Sequence, residues 1–105
     1  MSIEKARKRF VPMSETMLYI LLSLREERHG YGIMQHVKEL TRGRIVLGAG
    51  TIYQSLQKLE AGGLIAATNE IERKKLYKIT DTGRQILSEE AKRTEEIYKN
   101  LEVLL

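Results

Sequence analysis

The chain of 105 residues contains no cysteine, no tryptophan and a single proline. Without cysteine there is neither a disulfide framework nor a thiolate metal site, which suits a reducing cytosol. Without tryptophan a flat ligand has no indole to stack on, and tyrosine substitutes only in part. Long apolar runs are missing too. Met17 to Leu24 is far too short to span a bilayer, and the N-terminal MSIEKARKRFVPMS is charged and lacks the apolar segment of a signal peptide. A cytoplasmic protein with no membrane partner is expected. His29 and His36 are the only histidines and have no acidic or cysteine partner at ligand spacing, so no metal or other cofactor is expected, and His29 is read as capping or positioning a helix. There is no nucleophile elbow, no phosphate-cradling glycine loop and no histidine and serine paired in a suggestive context, so the chain does not read as an enzyme.

What is present fits one small domain. A hydrophobic content of 42% fills a single modest core, and cores of this size are often completed by oligomerisation, so a dimer is expected. The 18 lysines and arginines exceed the 14 aspartates and glutamates, giving a net charge of +4. So mild an excess serves a phosphate backbone or solubility about equally, and its placement says more than its size.

Residues 1–12 carry Lys5, Arg7, Lys8 and Arg9 against Glu4 and read as a flexible basic arm ending at Pro12. Basic N-termini are often idle, so DNA contact by this arm is left open. Ser14 then caps a first helix running to about Glu27, with Met17, Leu18, Ile20, Leu21, Leu22 and Leu24 as a broad apolar surface. The break at His29-Gly30-Tyr31-Gly32 precedes a second helix with Ile33, Met34, Val37 and Leu40 at helical spacing, stopped by Thr41-Arg42-Gly43. Arg44 to Leu47 is β-branched enough for a brief strand or extended link.

The stretch GAGTIYQSLQKLEAGGLI, Gly48 to Ile65, is the most informative segment. Ile52, Leu56 and Leu59 recur at i, i+4 and i+7 and face a core, while Gln54 and Gln57 face away, with Thr51, Tyr53 and Lys58 on the flanks. Gly62-Gly63 gives the backbone freedom to end this third helix. Two strands follow between Ile65 and Ile79, around a charged tip containing Glu70, Glu72, Arg73, Lys74 and Lys75. A polar-faced helix running into a basic hairpin is the outline of a winged helix, which presents a helix to a DNA groove and a charged hairpin to the neighbouring backbone. Neutral hydrogen-bonding groups on the helix can meet base edges and phosphates, and cations at the tip can release counterions along the backbone.

Thr80-Asp81-Thr82-Gly83 starts a last helix carried close to Leu105, which would extend roughly 39 Å if unbroken. That is more than so small a body needs. Leu87, Ala91, Thr94, Tyr98, Leu101 and Leu105 alternate steps of four and three, the seam of a helix packed along another, and the expected partner is a second subunit. Residues 13–80 are thus read as a winged-helix DNA-binding domain and 81–105 as a dimerisation helix, in a mainly α fold with a small β-hairpin. Met13, Met17, Tyr19 and Tyr98 either pack a core or line a small apolar pocket between subunits.

His29-Gly30-Tyr31-Gly32-Ile33, Gly50-Thr51-Ile52-Tyr53, Leu59-Glu60 with Gly63-Leu64-Ile65, and Tyr77-Lys78-Ile79-Thr80 with Gly83 occur in an order and spacing that resemble the PadR-like family of bacterial winged-helix transcriptional regulators. The resemblance implies a homodimer on a two-fold-related operator, usually repressing, with the C-terminal helix as the dimerisation element. It also implies release by a small apolar or aromatic effector, a tyrosine hydroxyl at Tyr53 reaching a phosphate, and, as in the smaller members, no separate effector domain. Ala49 replaces a proline common in the family, and the wing tip lacks the usual glycines. The expected DNA-binding set is Thr51, Tyr53, Gln54, Lys58, Arg73, Lys74 and Lys75. The rival reading is a winged-helix module that binds protein and has no operator.

Overall fold

Side-chain caps set where the helices begin. The computed structural model describes residues 2–105, which form α1 (Ile3–Phe10), α2 (Glu15–Ser23), α3 (Gly30–Leu40), α4 (Ala49–Ala61), β1 (Ile65–Ile71), β2 (Lys74–Ile79), α5 (Asp81–Leu101) and a 3-10 turn over Glu102–Leu104. Ser14 accepts from the Met17 N–H at 3.2 Å, His29 Nδ1 from the Gly32 N–H at 3.0 Å, and Thr80 Oγ1 from the Gly83 N–H at 3.1 Å, each satisfying a donor with no partner inside its own helix. The reading of the chain as a winged helix with a long C-terminal helix holds.

The basic arm is a correction: residues 3–10 are helical. Ile3, Ala6 and Phe10 form an apolar stripe at i, i+3 and i+7, Ser2 caps the helix, and Glu4 and Arg7, Lys8 and Arg9 match the two ends of its dipole. Eight residues would not hold a helix alone, so docking sustains it. Ala6 and Phe10 are buried, and Arg7 grips Glu89 of α5 through two bonds of 2.8 and 2.9 Å.

A second correction concerns α2, which ends at Ser23, short of Glu27. The following backbone is drawn onto the hairpin: Arg28 exchanges both backbone bonds with Tyr77, and the Ile79 N–H donates to the Leu24 carbonyl at 2.8 Å. Residues 44–47 form no strand and run as a link in which Val46 is exposed and Leu47 buried.

The core lies between α2, α3, α4, the base of the hairpin and the first turns of α5, with Ile20, Leu21, Leu24, Ile33, Val37, Ile52, Leu59, Leu64 and Ile86 fully enclosed. Gly83 lets α5 approach closely, since a Cβ there would lie 2.1 Å from the Leu64 carbonyl oxygen. The Thr80 hydroxyl also donates to the Gly63 carbonyl at 2.6 Å. The start of α5 is therefore clamped to the end of α4.

Further along α5, Glu90 is 1% exposed. It accepts from Arg93 at 2.6 and 3.1 Å and from the Met13 backbone N–H, tying the start of α2 to α5. Burial pushes the Glu90 carboxyl up, but the bonds from Arg93 and Met13 outweigh it and hold the group below its ordinary value of 4.5. A depressed carboxyl stabilises the fold above about pH 4.5, and that contribution is lost as pH falls through the folded-state value. Glu90→Gln should cost about 1–3 kcal/mol at pH 7, with the gap to the parent narrowing below pH 4.5 in urea unfolding.

The hairpin ladder closes on the pair Ile71↔Lys74, leaving Glu72 and Arg73 as a two-residue turn with φ of 52° and 66°. Both sit in the left-handed region, as a type I′ turn demands, without the Asn-Gly that suits it. Glu72→Asn should raise the melting temperature by a few degrees, for a gain of about 0.5–1 kcal/mol read by calorimetry.

No helix of the described residues is long and apolar enough to cross a membrane.

Candidate nucleic-acid interface

The exposed surface of α4 is set by its buried one. Ile52, Ser55, Leu56 and Leu59 turn into the core, which leaves Thr51, Gln54, Gln57 and Lys58 outward. Gly48, at the N-cap, has no side chain with which to bond the helix, and a Cβ at Gly48 or Gly50 would meet nothing within 4 Å. The start of α4 therefore offers backbone N–H donors and the positive end of its dipole to an unobstructed surface.

Tyr53 lies on one flank of this face and is 60% exposed. Together with Arg73, Lys74 and Lys75 it lines a groove of about 400 Å³ between the wing and the starts of α3 and α4. The fold thus brings four of the sequence-derived site residues to one place. Thr51 and Gln54 stand on the open face beside it, whereas Lys58 lines a different groove on the opposite flank with Arg9 and Ser14. Among the described residues Arg73, Lys74 and Lys75 enter no ion pair, so their charge is available to an external anion.

Sequence reasoning missed Tyr31, which is 59% exposed and lines the wing groove, as do His29 and Gly30. The signal was its place at the start of a helix, two residues past the cap His29. A Cβ at Gly30 would lie 3.3 Å from Ile52 Cγ2 and 3.6 Å from the Tyr53 ring, so this glycine lets α3 cross tightly over α4. The histidines take structural places, His29 as the α3 cap and His36 bonded to Ser23 at 2.8 Å. Burial, then Arg28, lowers His36 from 6.5 and keeps it neutral at pH 7. Among the described residues no three His, Cys, Asp or Glu gather as a metal site.

A model of the transcriptional regulator PadR-like family matches residues 17–89, most of the winged helix and the first turns of α5. The chain belongs to the PadR-like family. The Escherichia coli transcriptional regulator YqjI is 33% identical to it over 96 residues, covering 90% of this chain and 46% of that one. This chain therefore spans about half the length of that relative. The Bacillus subtilis PadR solved in complex with operator DNA superposes with a TM-score of 0.65 at 32% identity, covering 72% of this chain and 46% of that one. A PadR family regulator from Clostridium difficile reaches a TM-score of 0.75 at 25% identity, over 87% of this chain and 98% of that one. The PadR-like family is one of transcriptional regulators and not of enzymes.

Away from the wing, α5 leaves the body. Ala91, Thr94, Tyr98, Leu101 and Leu105 are all exposed, while Leu87 packs partly against its own core. Ile97, absent from the expected seam, is 43% exposed and lies between Thr94 and Leu101 on the same side. An open groove of about 640 Å³ runs between α2 and α5, lined by Leu18, Leu22, Leu87, Ala91 and Ile97 among others. Of the candidate pocket residues, Met13 and Tyr19 line it. Met17 lines the groove of Arg9 and Lys58, and Tyr98 lies farther out along α5.

Proposed function

We propose that the chain is a DNA-binding repressor that acts as a homodimer on a two-fold-related operator. One observation carries the reading of DNA: Tyr53 and three cations that enter no ion pair among the described residues share a groove, in which they outnumber its carboxylate Glu70, beside a helix face of neutral hydrogen-bonding groups. In this reading the N-terminal half of α4 enters the major groove, where Thr51 and Gln54 choose the bases. Tyr53, Arg73, Lys74 and Lys75 hold phosphates. The operator complex of the Bacillus subtilis relative supports it.

Dimerisation is supported by the exposed apolar residues along α5, which continue through Val103, Leu104 and Leu105 at 83%, 78% and 88% exposure. Burying them against a second α5 removes apolar surface from water, and half-sites about one DNA turn apart, roughly 34 Å, would require the two reading helices at that spacing. A small apolar or aromatic effector entering the groove between α2 and α5 would release DNA by changing how the two bodies sit.

Selection of bound sequences from a random duplex pool tests the whole reading. A palindromic product with half-sites one turn apart is expected. A pool that stays random, with binding indifferent to salt, would count against an operator. With it, the slope of log affinity on log salt should be about −0.9 for each phosphate neutralised.

A further inference from the structure

The cations of α1 lie outside the family match, which begins at residue 17, and the wing reading does not use them. Their positions are fixed because α1 is fixed. Arg7 is held by Glu89, and the ring of Phe10 occupies the space a side chain at Gly62 would fill, where a Cβ would lie 2.3 Å from the ring. Gly62 itself has φ −83°, so its lack of a side chain matters here because it seats α1 against the last turn of α4.

This docking sets Arg9 beside Lys58. The two line a groove of about 210 Å³ with Phe10, Pro12 and Ser14, and no acidic residue is among its lining. Arg9 stacks over the Phe10 ring at 5.2 Å, which steadies its guanidinium at the rim. Tyr53 and Lys58 stand on opposite flanks of α4, so the exposed face centred on Gln54 and Gln57 has a cationic groove on each side. A helix in a major groove about 12 Å wide has a phosphate backbone along either rim.

We propose that Arg9 and Lys58 form a second clamp for DNA phosphates, gripping the strand on the side of α4 opposite the wing. The proposal rests on the DNA reading above. In the bound state the wing holds one rim of the major groove and α1 the other, so α4 is held from both sides.

Two adjacent charge reversals on the intact chain test it, Arg9→Glu in the groove and Lys8→Glu on the neighbouring exposed position outside it. The probe is a mixed-sequence duplex of about 30 base pairs, titrated with salt, a length covering roughly three helical turns. Arg9→Glu should weaken binding about tenfold at low salt and make the salt slope shallower by about one, while Lys8→Glu changes affinity less than about twofold. Circular dichroism should be unchanged in both and melting should fall by no more than a few degrees, since each loses a cation from the last turn of α1 while Arg7 and Phe10 still dock the helix. Equal losses in the two variants overturn the clamp, because net charge alone then explains them. So does unchanged binding by Arg9→Glu when a wing variant, Lys74→Glu with Lys75→Glu, loses it. If the parent chain itself shows no salt-dependent binding, the DNA reading fails and the clamp fails with it.

Discussion

Lys74→Glu with Lys75→Glu should abolish measurable DNA binding at physiological salt, leaving only a weak residue readable at low salt, while the fold and the proposed dimer stay intact. Both lysines are exposed on β2, neither enters an ion pair among the described residues, and their backbone positions are held by the ladder to Ile71 and Glu70. In the proposed interface, reversal removes two phosphate contacts and replaces each with a repulsion at the same place. The salt slope should become shallower by about two, and the loss should be similar for every sequence, because phosphates carry no base identity. Gel-shift or anisotropy titrations at several salt concentrations read both quantities, with sedimentation of the free protein as the check on assembly. Parent-like affinity in this variant would remove the wing from the interface.

A glycine-to-alanine pair should give opposite signs of stability from the same chemical change. At Gly83 the new methyl would lie 2.1 Å from the Leu64 carbonyl oxygen and 2.7 Å from Ile79 Cγ1, and the first of these is backbone that cannot rotate away. Gly83→Ala should therefore cost about 3 kcal/mol or more and lower the melting temperature by more than about 10 °C. At Gly50 the methyl meets nothing within 4 Å, and the position is inside α4. Gly50→Ala should add about 0.5–1 kcal/mol by reducing the entropy lost when the helix forms. Thermal melts of the two variants decide it, and a stable Gly83→Ala protein would mean that α5 can dock without the close approach.

Much of the winged helix was legible because local signals agreed with each other. The spacing of Ile52, Leu56 and Leu59 and the caps at Ser14 and Thr80 act within a few residues, and all appear where the pattern put them. The misses come from contacts across the chain. The charge of α1 drew attention from its three apolar residues, and its helix depends on Glu89, far along the sequence. The end of α2 is fixed by Tyr77 on the hairpin. Gly62 and Gly63 look alike in sequence, yet only Gly63 has positive φ, at 78°, whereas Gly62 makes room for Phe10. Lys58 was correctly placed on a flank of its helix, but periodicity could not show that the wing lies on the other flank.

The clamp between Thr80, Gly63, Gly83 and Leu64 turns α4 and α5 into a single lever. In the proposed dimer, the tail of 21 residues is an arm roughly 31 Å long with the reading helix fixed at its near end. Tilting one arm against the other by about 10° about their C-terminal ends would displace the reading helices by roughly 5 Å, more than the rise of one base pair. In that dimer an effector in the groove between α2 and α5 would have no need to touch the DNA-facing surface, since a small change in the crossing angle of the tails would already put two half-sites out of step.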